Sequence, residues 1–147
     1  MTDTQNFIER LQALAVREHL SLGVMASNKP ADFDLVLAAA GCAFAADDAL
    51  SEREVNTRLL AWLDGAGAML AVDHVELRRW LVDNRVLSRD GYGHVYRRGA
   101  PRDAIAQAMT ALTHHDLRST VLDARAAHAA KREARKAQWT KAQEVAR

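Results

Sequence analysis

The chain has 147 residues, long enough to bury a hydrophobic core without disulfides or a structural metal. Apolar residues make up 49% and aromatics 5%, with alanine heavily used, which points to a mainly helical protein. A single cysteine, Cys42, excludes a disulfide or cysteine–zinc framework. The N-terminal stretch has no signal-peptide pattern and no apolar run is long enough for a bilayer, so the expected location is the cytoplasm, with no membrane partner. The net charge of +1 hides an asymmetry: residues 1–113 carry 12 basic and 15 acidic side chains, and residues 114–147 carry 8 and 4. A basic tail on a mildly acidic body reads either as a nucleic-acid arm or as a solvated helix.

In chain order, residues 4–20 place Phe7, Leu11 and Leu14 on one face, which predicts a helix. The run Ala26-Ser27-Asn28-Lys29-Pro30 breaks it, because Pro30 starts or ends helices. Residues 31–46 carry two apolar stripes, Phe33/Leu37/Ala40/Phe44 and Leu35/Ala38/Cys42, the pattern of a buried helix. Ser51-Glu52-Arg53-Glu54 is a capping box, in which each end residue bonds the other's amide. The helix it opens buries Val55, Leu59, Trp62 and Leu63. Asp64-Gly65-Ala66-Gly67 predicts a loose loop, and its glycines are a weak phosphate-loop signal.

Asp73 with Glu76 marks the next helix start. Leu77 and Leu81 are spaced for burial with Trp80 beside them, while Arg78 and Arg79 point elsewhere. Val86-Leu87 and Val95-Tyr96 read as two short strands turning at Asp90-Gly91. Pro101 suits the first position of a helix that buries Ile105, Ala108, Met109 and Leu112. Thr113 with Asp116 is the cap signal for a last helix from about 115. Leu117 and Val121 anchor that helix, but from Arg125 onward it has alanine, charge and Trp139. The expected fold is mainly α, a winged helix-turn-helix core with a short β-hairpin over 31–98. An N-terminal helical region (1–30) and C-terminal helices with a basic Ala-rich tail (99–147) flank it.

Residues 47–98 also resemble a bacterial family known only as domain of unknown function number two-zero-eight-seven. The resemblance rests on Glu54-Val55-Asn56, Asp73-His74, Leu77-Arg78-Arg79, Leu81-Val82-Asp83, Val86-Leu87 with Arg89, and Gly93 with Tyr96-Arg97. It implies a domain that occurs alone or joined to helix-turn-helix regulators of the arsenical-repressor type, hence a role in transcription. It brings no catalytic residues. This chain departs from the family at Arg85, where glycine is usual; Asn84 is then the expected left-handed residue, and Arg85 gains a side chain that can approach a phosphate.

The candidate nucleic-acid contacts are His74, Arg78, Arg79, Arg85, Arg89, Arg97 and Arg98. Arginine suits paired hydrogen bonds to guanine or phosphate. The alternative for Arg78 and Arg79 is pairing with Glu76, Asp83 or the carboxylates of helix 51–63. For the hairpin arginines it is a soluble charged edge, and for His74 a local hydrogen-bond network. Asn56 is expected to satisfy backbone groups of its turn. Trp62 and Trp80 read as core. Trp139 is the candidate partner anchor, for a second copy or for the body of this chain. The scattered histidines have no metal-ligand spacing, and no nucleophile–base pair, cofactor motif or small-molecule site is evident. The sequence thus predicts a non-catalytic DNA-binding or transcription-associated protein. The alternative is a protein-interaction or dimerisation module that uses the winged helix as a scaffold.

Overall fold

The computed structural model describes residues 3–92 and 94–146. Seven helices among them surround one small antiparallel hairpin, a mainly helical arrangement consistent with a winged-helix-like core. The elements are α1 (Asp3–Ala15), α2 (Leu22–Asn28), α3 (Pro30–Gly41), α4 (Glu52–Leu63), α5 (His74–Asp83), β1 (Leu87–Arg89), β2 (Tyr96–Arg98), α6 (Asp103–Leu112) and α7 (Leu117–Ala146). No helix is long and apolar enough to cross a membrane, among the described residues.

One buried cluster runs from Leu11 on α1 to Val121 on α7, so the flanking helices share the core of the central segment. Helix α3 is its axis, buried at Phe33 and at every position from Leu35 to Gly41. Phe33, Leu37, Phe44, Val55, Leu59, Leu77 and Leu81, expected to meet, are all buried in that cluster. Trp80 packs edge-on against Phe33, with ring centroids 5.3 Å apart.

The helix ends differ from the sequence expectation where tertiary partners claim the backbone. α1 stops at Ala15, not near residue 20, because Leu20 is pulled into extended pairing: its N–H donates to Met69 O (2.9 Å) and its carbonyl accepts from Ala71 (2.8 Å). His19 absorbs the turn at φ 56°, and Ser21 then caps the short α2, which the periodicity had not separated. α3 ends at Gly41 and not at 46, and two arginines cover carbonyls just past its end: Arg58 donates to Ala43 O and Arg98 to Phe44 O, both at 3.1 Å. The turn after α4 is not loose, for Gly65, Ala66, Gly67 and Met69 are all buried. Pro101 precedes the α6 N-cap, Arg102, which ion-pairs with Asp34. The cap of α7 is Asp116, accepting from the Ser119 amide (3.0 Å), while Thr113 donates back to Met109 O.

The capping box at Ser51 and the Asp73 cap of α5 form as expected. At the far end of α5 the left-handed residue is Arg85 (φ 61°), not Asn84 (φ −97°). Val86 N–H reaches back to Leu81 O (2.9 Å) and Arg85 N–H to Val82 O (3.1 Å). That is a Schellman motif with Arg85 at the position that favours glycine, sealed by the buried pair Leu81 and Val86. Geometry of the motif overrode residue preference: the left-handed turn belongs one residue beyond Asn84.

Candidate nucleic-acid interface

β1 and β2 pair in the register Leu87↔Arg98, Ser88↔Arg97 and Arg89↔Tyr96. Leu50 pairs with Tyr96 through reciprocal backbone bonds of 2.9 and 2.7 Å, which fixes the hairpin base to the segment before α4. The strands are joined by a six-residue loop, longer than a tight two-residue turn. Asp90 organises it: its carboxylate accepts from the His94 amide (2.8 Å), a bond that holds its pKa below the ordinary value. Gly93, part of the resemblance, lies outside the described residues.

A cleft of about 200 Å³ lies between α5 and the hairpin, lined by Val75, Arg78, Arg79, Val82, Asp83, Arg89 and Tyr96. Arg79 on the helix and Arg89 on β1 are exposed and have no protein partner among the described residues. Arg78 differs. It turns toward α4, bonding Asn56 Oδ1 and lying 3.5 Å from Glu52 Oε1. The same Glu52 oxygen accepts from the Tyr96 hydroxyl at 3.2 Å. Asn56, Arg78, Glu52 and Tyr96 thus tie α4, α5 and β2 into one frame. Asn56 serves a side chain 22 residues away and not its own turn.

The other sequence candidates lie outside this cleft. Arg97 is exposed on the strand face opposite Arg98, which is spent on the Phe44 carbonyl. Arg85 borders a separate depression with Asn84 and Arg102. His74, half-buried at the first turn of α5, has no hydrogen-bonded ring partner among the described residues. The positive surface is interrupted, since Asp83 lies in the cleft and Asp73 and Glu76 are exposed on α5.

Sequence reasoning passed over Tyr92, which is 84% exposed at the hairpin tip and stacks on the His94 ring with centroids 6.1 Å apart. Its signal was an aromatic flanked by glycines inside a basic hairpin. It also passed over Arg125, which closes α7 onto the end of α1 through Ala15 O (2.8 Å), Arg17 O (3.1 Å) and Glu18 (2.7 Å). Beyond that clasp every described residue from 129 on is exposed, Trp139 at 65%.

The model of a family described as uncharacterized protein conserved in bacteria (DUF2087) matches residues 25–98. No curated protein and no solved structure matches the chain.

Proposed function

The chain belongs to this bacterial family, and from the cleft we propose that it is a non-catalytic, transcription-associated DNA-binding protein of the cytoplasm with a winged-helix core. The observation that carries the reading is the pair Arg79 and Arg89: two unpartnered, exposed guanidinium groups on opposite walls of one groove. Phosphate contacts set the register of a protein on a duplex, and base contacts set its preference. Arg79, on the helix, is the base-edge or phosphate contact. Arg89 and Arg97, on the hairpin, grip the backbone. Arg78 is removed from that role by its bonds to α4, and it holds the groove in shape instead.

Duplex binding by the full chain at two salt concentrations tests this. Arg79→Ala is expected to change sequence preference by roughly 1–3 kcal/mol. Arg89→Ala and Arg97→Ala weaken all sequences alike and each lower the salt slope by about one unit. No binding even at low salt sinks the reading.

A second reading rests on α7. Its exposed stretch 129–146 extends about 27 Å at ~1.5 Å per residue and carries Trp139 and Val145 in solvent. A helix with so little to pack against its own body suits dimerisation or partner docking. If removing 129–147 leaves the mass from light scattering unchanged, and Trp139 fluorescence ignores concentration, the tail is not a dimer contact.

A further inference from the structure

A second cavity, of about 390 Å³, lies on the other side of α4, between the end of α3, the 65–66 turn and the α6–α7 connection. That volume falls within the range of small-molecule sites, roughly 300–1,000 Å³. Ala39, Ala43, Ala61 and Ala66 line it, so small side chains leave the space open.

Its polar groups are of two kinds. Most are already satisfied. The Thr113 hydroxyl donates to Met109 O at 2.5 Å, and the Cys42 thiol points to the same carbonyl at 3.6 Å. Arg58 is held by Asp48 at 2.6 Å, and Asp116 by the amide and hydroxyl of Ser119. Two groups are not satisfied, and both are donors. Trp62 is 92% buried, since only 8% of it is exposed, and its indole N–H has no acceptor. The benzo edge of that ring presses on Gly67, where any Cβ would collide with it; the indole nitrogen belongs to the opposite edge. Arg118 lays its side chain over Gly65, with Nη1 2.8 Å from where a Cβ would stand, and makes no ion pair within 4 Å among the described residues. A buried donor left without an acceptor costs about 1–3 kcal/mol, so a site with two open donors favours a ligand that only accepts.

We propose that this cavity binds a small apolar monocarboxylate, an aryl or branched-acyl acid. The carboxylate takes the open donors of Arg118 and Trp62, and the apolar body fills the space between the alanines. A phosphate dianion fits less well, because the alanine walls give it no donors and Asp116 at the rim repels a second charge.

The test is a titration of the ¹⁵N-labelled full chain with sodium benzoate, with benzyl alcohol and inorganic phosphate as controls. The Trp62 indole resonance is assigned by elimination, using Trp80→Phe and Trp139→Phe. The expected result is a saturable shift of the Trp62 indole with benzoate and little response to either control. Arg118→Gln, at an exposed position, should weaken benzoate by about tenfold through loss of a charge-assisted bond. An unmoved Trp62 resonance, an equal response to benzyl alcohol or phosphate, or an unchanged benzoate affinity in Arg118→Gln would overturn the proposal.

Discussion

The frame of α4, α5 and the hairpin and the far half of α7 are both rich in arginine, yet they use it in opposite ways. In the frame, Arg58, Arg78, Arg98 and Arg102 each reach a carbonyl, amide or carboxylate on another element. In the tail, Arg132, Arg135, Lys131, Lys136 and Lys141 make no ion pair among the described residues. A cation near carbonyls at a helix end, or near a half-buried carboxylate, is drawn in and becomes structural. The same residue on a lone helix stays in water. Sequence shows only the charge; what the charge does depends on which backbone ends arrive beside it.

The comparison breaks most sharply at the core. Leu81→Ala removes a fully buried side chain that also seals the end of α5, and should cost about 2–5 kcal/mol. A melting temperature equal to wild type would show that the frame is not held from within. Next in size is Arg78→Ala. It strands Asn56 and loosens Glu52 from α5, for a loss of about 1.5–3 kcal/mol. Arg79→Ala, on the exposed face, should stay within about 0.5 kcal/mol of wild type. Urea unfolding of the two variants side by side measures the difference between a structural and a free arginine only one residue apart.

Arg85→Gly runs the other way. It relieves a left-handed non-glycine residue and should raise stability by about 1 kcal/mol, visible as a higher urea midpoint. The smallest effect belongs to the tail. Removing 129–147 leaves the Arg125 clasp and the buried anchors Leu117 and Val121 in place, so the melting temperature should hardly move. A large drop would mean that the exposed half of α7 is part of the folding unit after all.

How much of this was legible beforehand varies by residue. The seven core positions of the central segment follow from helical spacing alone, and the Ser51 and Asp73 caps follow from local hydrogen-bond chemistry within one turn. The hairpin was readable as two short strands, but not its exact limits, because Asp90 shapes the loop through its carboxylate and not through a glycine-rich tight turn. α2 was missed because Leu20 leaves helical geometry to bond residues near 70, a pairing that no window around Leu20 contains.

What the sequence determined by itself was therefore local: which stretches coil into helices, which faces they bury, where side-chain caps start them, and that a basic hairpin follows an amphipathic helix. The tertiary structure alone decided that Arg78 is spent on Asn56 and Glu52 while Arg79 and Arg89 remain open across a cleft. It alone placed the left-handed turn at Arg85, and it left the Trp62 N–H beside a cavity with no acceptor. The reason is reach. A helical period or a cap is complete within a few residues, whereas the partner that binds or strands a polar side chain arrives from tens of residues away, and only packing determines which one it is.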